Sequence, residues 1–434
     1  MVDTAVAGHL PVSGGTGAAT FIGAISVGAM IFNLLYWNCA FLRTGTGGLT
    51  AQAFGREDNH ECAVILVRGI RLAFLMSAAI LLLQWPFMKL ALLIVNGSPE
   101  VEALASEYYL ARIWAAPATL SLMAFSGWFV GMQDSVSSMW KDLTVNCVNI
   151  LASIVLALGA GPFKGMGFVG IAWGTVIAQY SGLLYCIVKC LIKYRPVLAA
   201  FRKSDLKSMF SRDNTREFFK MNVDLLIRSL CFTAIYIGYT IIAAGLGDLM
   251  LACSSIMMQL LMIFSYFTDG FAYAGEALTG RFIGAGDEGM LKKAIRHVFV
   301  WSMSIAVLFV WIYWICGVPL LQFMTSDDSV VTACKAFLPW LIAMPPLGCA
   351  AFTWDGIYLG ATATKAIRNS MLGAAASFLL VYLAGVAMFH PEGQNGIQLL
   401  MVAYFAHLAF RTVYLTLQYR KNYGHKNEMY NIEI

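Results

Sequence analysis

Eleven runs of mostly apolar residues, each long enough to make a membrane-crossing helix, divide this chain and leave it one place to fold, a lipid bilayer. A helix rises about 1.5 Å per residue, so about 20 residues cross a hydrocarbon core of about 30 Å. The 434 residues are 59% hydrophobic and 12% charged, too little charge to keep so much apolar surface in water. Spans are expected over Ala18–Arg43, Glu61–Gln84, Val101–Met132, Trp140–Ala160 and Met166–Lys193, then Lys220–Ala244, Leu249–Phe282, Leu291–Cys316, Val330–Leu359, Ile367–Phe389 and Ile397–Tyr419. The opening stretch Met1–His9 supplies only about half a span, so the first helix is expected to be truncated at the N-terminus. Trp85–Val95 is too short to cross, and either finishes the third helix or lies at the interface. Pro117 in the fourth span, and Pro345 with Pro346 in the tenth, are expected to kink their helices.

An internal repeat fixes how these helices are grouped. A constant offset of 229 residues carries Leu49 and Thr50 onto Leu278 and Thr279, Gly55 onto Gly284 and Asp58 onto Asp287. The same offset carries Pro117 onto Pro346, Gly127 onto Gly356 and Gly131 onto Gly360. The expected architecture is therefore an all-α integral membrane bundle of twelve helices in two pseudo-symmetric six-helix lobes, a common plan for transporters with a site between the halves. The lobes are expected over 1–193 and 219–434, the second ending in a short basic tail, with a linker over 194–218 that holds Arg195, Arg202, Lys203, Lys207, Arg212 and Arg216. Lysine and arginine otherwise gather in alternate loops, at Arg56, Lys141, Lys292, Lys293, Lys365 and the tail's Lys426 among others, which places both termini and the linker in the cytoplasm. The net charge of +5 belongs to these loops, so a membrane topology explains it and nucleic acid is not an expected partner.

Several chemistries find no support. The ten cysteines contain no C-x-x-C pair, and Cys186 with Cys190 read as small packing residues. No zincin, nucleotide-loop or serine-hydrolase motif occurs, and the two G-x-G-D sequences, at Gly245 and Gly284, fall at helix ends where a glycine turn is expected. The chain does not read as an enzyme, and no cofactor or metal is expected.

An ionised carboxylate at mid-bilayer costs about 2.5–3.5 kcal/mol on insertion scales, which makes buried acids the candidates for function. They are Asp3, Asp269, Glu276 and Asp355, each of which could instead be solvated at the interface. Asp269 and Glu276 lie two turns apart on one helix face. Asp224 and Arg228, spaced i,i+4, are expected to form a structural ion pair, and His407 with Arg411 a packing or interfacial pair. Asn146, Asn149 and Ser153 make a polar stripe on the fifth helix that either glues helices together or lines a cavity. Trp128, Tyr266, Tyr273, Trp354 and Tyr358 lie near the acids and either face the membrane or stack on an amphipathic cation.

Taken together, VDTAVAGHL (Val2–Leu10), GLTAQAFG (Gly48–Gly55), DLLIRSL (Asp224–Leu230), DGFAYAGEA (Asp269–Ala277) and WDGIYLGATATKAIRNSM (Trp354–Met371) resemble the multidrug and toxic compound extrusion (MATE) family in its DinF branch. The resemblance implies a twelve-helix carrier of the bacterial inner membrane that exports amphipathic, cationic compounds against H+ or Na+ entry. It places Asp3 at the first-helix aspartate used for cation coupling, with Asn149 and Ser153 in the fifth-helix part of that site. Ser153 stands where many members carry an aspartate, and the family has about twenty residues ahead of the matching VDTA. It also implies a cavity-lining role for Asp269 and Asp355, to which Glu276, Tyr273 and Tyr358 are added as neighbours. The expected function is a cation-coupled antiporter, monomeric and embedded in lipid, acting on a small molecule. The alternatives are a lipid-linked sugar flippase, which would want a basic cavity where acids outnumber bases here, and a non-transporting or defective membrane fragment.

Overall fold

The structure, a computed structural model, describes residues 2–8, 18–95, 98–160, 163–202, 205, 212–325, 327–390 and 392–424. Leu10–Gly17 of the first loop, Lys203 and Lys207 of the expected linker, and Lys426 of the tail lie outside them. Helix fills almost all of the described chain. The exceptions include a two-stranded antiparallel ribbon, β1 (Gly159–Ala160) with β2 (Phe163–Lys164). The helices of the first half are α1 (Val2–Gly8), α2 (Ala18–Asn38), α3 (Phe41–Gly55), α4 (Asn59–Leu82), α5 (Gln84–Val95), α6 (Pro99–Arg112), α7 (Ala116–Gly131), α8 (Ser135–Leu158), α9 (Phe168–Lys193) and the short α10 (Arg195–Ala199). Those of the second are α11 (Arg212–Gly245), α12 (Asp248–Ala285), α13 (Glu288–Met324), α14 (Asp328–Lys335), α15 (Leu338–Gly360), α16 (Thr364–Phe389) and α17 (Gly393–Gly424). Among the described residues, 10 stretches are long and apolar enough to cross a bilayer, or 11 if α14 and the bent α15 count as one. In that reckoning α2 with α3, and α6 with α7, each form a single span.

The chain packs as two compact units, Met1–Ala53 with Asp58–Ser211, and Phe54–Glu57 with Arg212–Ile434. In the first, Phe32, Tyr108, Tyr109, Ile113 and Ile171 form a core shared by α2, α6 and α9. In the second, Met257, Phe264, Phe337, Phe378 and Leu408 do the same for α12 and its neighbours.

The 229-residue offset proves to be a correspondence of helix crossings and not only of letters. Gly127 on α7 lies so close to α3 that a Cβ would overlap the Arg43 carbonyl oxygen, and Gly356 on α15 stands in the same relation to Ala272 on α12. Arg43 and Ala272 are themselves 229 residues apart. The match continues at the turns: Asp58 caps α4 by accepting from the Glu61 amide at 2.9 Å, and Asp287 caps α13 by accepting from Met290 at 2.8 Å. The residues before these caps, Glu57 and Gly286, both have left-handed backbone, with φ of 58° and 71°. Gln133 and Thr362, one more offset pair, have φ of 58° and 54°.

Two proline expectations come out differently. The fourth span breaks at a 3-10 turn, Ile113–Ala115, directly ahead of Pro117, which sits in the first turn of α7 where its missing donor costs nothing. Pro345 and Pro346 lie inside an unbroken α15, and the 58° bend of the tenth span falls between Lys335 and Leu338. Pro339 falls in the first turn of α15, just past this bend, where its missing donor costs nothing.

Lys141, expected in a loop, lies within α8, because Asp134 caps that helix from its start at Ser135. Its ammonium reaches Ser126 Oγ at 2.5 Å and Asp142 at 2.7 Å. Asp134 is the hub of this end of the unit: it accepts from Ser137 N and Oγ, from Tyr194 OH at 2.7 Å and from Lys193 Nζ at 2.6 Å. Tyr194 meets Trp128 edge-on at 4.8 Å, and the Trp128 indole donates to the Cys62 carbonyl, so this tryptophan is a packed joint. Burial opposes the Asp134 charge, but the donors from Lys193, Ser137 and Tyr194 outweigh it and hold the carboxyl well below the usual carboxylate range. A carboxylate lowered on folding contributes stability that is full above its unfolded value near pH 4 and is lost as pH falls toward its folded one. Asp134→Asn is therefore expected to lower the unfolding temperature by several degrees at pH 7, with the deficit shrinking below about pH 4. Thermal unfolding in a neutral detergent across that range measures both; a deficit independent of pH would contradict the assignment.

Candidate functional site

Four helices of the first unit bring polar side chains to one point. Asp3 on α1 accepts through Oδ2 from Tyr108 OH on α6 at 2.9 Å and from Thr175 Oγ1 on α9 at 3.3 Å. Thr175 in turn accepts from Asn149 Nδ2 on α8 at 3.0 Å, and Asn149 lies 3.5 Å from the buried Ser153 hydroxyl. Asp3, Asn149 and Ser153, separated by about 150 residues in sequence, thus share one chain of hydrogen-bonding groups. Arg112 closes it from the other side, donating to Tyr108 OH at 2.6 Å and standing 4.0 Å from Asp3 Oδ2, with its guanidinium over the Phe32 ring. The second Asp3 oxygen, Oδ1, is buried and has no hydrogen-bond partner among the described residues. One oxygen of Asp3 thus faces Arg112 and two hydroxyl donors, and the other faces no donor among the described residues.

Tyr108, Arg112 and Thr175 escape the sequence reading. An arginine one turn after a tyrosine inside an apolar span is a legible signal for the first two; Thr175 gives none. Asn146, the third member of the stripe on α8, bonds only its own helix, at the Asp142 carbonyl, in the hydrogen bonds described.

The second unit overturns the expected ion pair. Asp224 and Arg228, four residues apart on α11, turn to different neighbours. Asp224 takes Arg368 at 2.6 Å and Thr364 at 3.2 Å from α16, and Arg228 reaches Asp355 on α15 at 2.8 Å. Asp355 also takes Arg411 of α17 at 2.5 Å. Cross-helix partners prevail because they serve buried carboxylates from several sides, whereas a pairing along one helix surface is worth only about 0.2–0.5 kcal/mol. Arg411 is therefore a buried ionic partner of Asp355, and His407, one turn earlier, is buried against Tyr404. The expected surplus of buried acid over buried base is absent from this cluster, where three guanidiniums meet two carboxylates.

The remaining candidates fall on α12 and α15. Glu276 is buried at the crossing where Gly360 meets its backbone, Asp269 is half-buried two turns earlier, and Tyr273 between them is 38% exposed. Tyr358 is buried, donates to the Leu415 carbonyl at 2.7 Å and meets Trp354 edge-on, so its hydroxyl is committed to holding α17. Trp354 likewise donates to Thr416 at 2.9 Å. Tyr266 is 66% exposed.

Helices of membrane length, one unit built twice, and ionisable groups gathered where helices converge define an integral membrane transporter. The MatE family profile matches residues 1–157 and 225–384, and the chain belongs to that family. It is 34% identical to DNA damage-inducible protein F of Escherichia coli (strain K12) over 385 residues, which cover 88% of this chain and 81% of that protein. It is 22% identical to the probable multidrug resistance protein NorM of Pseudomonas syringae pv. tomato, over 73% of this chain and 69% of the relative. The fold superposes with a TM-score of 0.82 on the crystal structure of MATE in the bent conformation, at 14% identity and over 96% and 90% of the two chains. With the outward-facing conformation of a multidrug resistance MATE family transporter of the MOP superfamily the TM-score is 0.81, at 14% identity and over 100% and 91%. Members of the family are transporters, and this chain is a multi-pass membrane transporter.

Proposed function

We propose that the protein is an antiporter driven by H+ or Na+ entry, which exports amphipathic, cationic compounds by alternating access across a bacterial inner membrane. The observation that carries this reading is the Asp3 network, a carboxylate on α1 tied to α6, α8 and α9 with one oxygen unbonded among the described residues. When Asp3 takes up the ion its charge is cancelled, Arg112 loses its counter-charge, and the arrangement of the four helices that suits the charged form no longer has the lowest energy. Asn149 and Ser153 act as positioning groups through Thr175. The substrate's cationic end is assigned to Asp269 and Glu276 with Tyr273 beside them; Asp355 and Tyr358, already engaged by Arg228, Arg411 and Leu415, hold the wall rather than the ligand. The functional form is a monomer with both termini in the cytoplasm.

The test uses inside-out vesicles with an imposed pH gradient and a pH-sensitive dye. Adding ethidium is expected to collapse the gradient, or to do so with an imposed sodium gradient in its place; no response to either ion overturns the reading. Thr175→Val, which cuts Asp3 from Asn149, is expected to slow ethidium export about tenfold, the equivalent of one hydrogen bond to a charged group. An unchanged rate would remove Thr175 from the coupling network. A second reading, a flippase for lipid-linked sugars, has one observation in its favour, the two guanidiniums on Asp355. Translocation of a labelled lipid-linked sugar in the same vesicles, with no response to ethidium, would favour it.

A further inference from the structure

The ion pairs around Asp355 leave one arginine over, and antiport at Asp3 makes no use of it. Arg368 is occupied by Asp224 and by the Asn369 side chain. Asp355 is left with two arginines, and both donate to the same oxygen, Oδ2. One carboxylate with two guanidiniums carries a net charge of +1, and Asp224 with Arg368 adds nothing to it. Of the N–H groups on these two arginines, Arg228 Nε and Arg411 Nε and Nη1 are buried and have no hydrogen-bond partner among the described residues. Arg411 is 2% exposed, with the Phe352 ring 5.6 Å from its guanidinium. Arg228 is the open side, its side chain 26% exposed.

A buried guanidinium N–H without an acceptor is costly in an apolar bundle, and two guanidiniums that converge on one carboxylate oxygen bring donors suited to the planar, two-oxygen face of a further carboxylate or a phosphate. We propose that Arg228 and Arg411 together form a receptor for one singly charged oxyanion, a carboxylate or phosphate group, which enters past Arg228 and completes the neutralisation that Asp355 begins. The group comes either from a free organic acid or from an anionic lipid headgroup. Binding here stands apart from ion coupling at Asp3 and is measured without any gradient, so failure of either reading leaves the other standing.

The experiment uses the full chain in lipid nanodiscs and follows thermal unfolding by tryptophan fluorescence; Trp354 adjoins Asp355 in sequence. In phosphatidylcholine discs, benzoate is expected to raise the unfolding temperature saturably if the ligand is a free acid. If it is a headgroup, discs containing phosphatidylglycerol are expected to show the rise without benzoate. Arg228→Gln leaves one arginine on one carboxylate, so the variant is expected to fold as the wild type does in phosphatidylcholine and to lose the anion response in both discs. Asp355→Asn raises the excess to two charges and is expected to tighten anion binding by about tenfold or more. No anion response in either disc, an undiminished response in Arg228→Gln, or weaker binding in Asp355→Asn overturns the proposal. Should one variant fail to fold, the other still reads the sign of the charge effect.

Discussion

Asp3→Asn is expected to reduce gradient-driven ethidium export by about two orders of magnitude, on the order of 3 kcal/mol of lost coupling, while the protein still folds and inserts. Asparagine keeps the size of the side chain and an oxygen able to accept from Tyr108 and Thr175. What it loses is the change of charge. With a permanently neutral group on α1, Arg112 has no alternating partner, and the helices that meet there have no reason to change arrangement when the outside pH changes. The measurement is the rate of gradient collapse in inside-out vesicles, normalised to protein recovered by size-exclusion chromatography. Export within about twofold of the wild type would sink the coupling role of Asp3. A variant that still binds ethidium but cannot exchange it would place the loss in coupling rather than in recognition.

The largest structural effect is expected from Gly127→Val and Gly356→Val. Each glycine sits where a helix presses against a partner's backbone oxygen, and a side chain there cannot be relieved by rotating a neighbouring side chain. The helices must separate, which opens voids along the whole crossing, so the cost should exceed the 1–3 kcal/mol or so typical of overpacking and take a large share of a typical total of about 5–15 kcal/mol. Both variants are expected to lose the monodisperse folded species in detergent, and to the same degree, because the contact is the same in the two units. Gly238→Ala and Gly270→Ala, where a Cβ meets nothing within 4 Å, are the controls and are expected to unfold within a few degrees of the wild type. Normal folding of either valine variant would mean that the crossing is looser than the structure draws it.

Much of the fold is legible before any coordinates, because the bilayer leaves few options. Apolar runs of span length give the helices. The fixed offset locates helix crossings that no hydropathy profile could locate, since Gly127 and Gly356 are conspicuous only as a pair. What stays hidden has one physical origin. Spacing along a helix says which residues share a face, and nothing about which neighbour that face meets. Asp224 and Arg228 satisfy the i,i+4 rule and still part company, because Arg368 and Asp355 stand opposite them. Arg411 stands in the sequence as a neighbour of His407, yet its partner lies 56 residues upstream. The same limit explains why Asp3 can be singled out while Thr175, one of its actual donors, cannot.

Counting 229 residues on from Tyr108, Arg112, Asn149 and Thr175 arrives at Phe337, Leu341, Phe378 and Tyr404, all buried in the apolar core of the second unit. The duplicated backbone therefore holds the Asp3 network once, and fills the matching positions with aromatic rings and a leucine. In the other direction, Asp355 and Arg411 fall on Ser126 and Gly182. Each copy of the scaffold has a different kind of interior at these positions, a polar network in the first and apolar core in the second. A carrier made from two identical halves would respond to an ion equally from within each; under the proposed coupling, the asymmetry of side chains confines that response to the first unit.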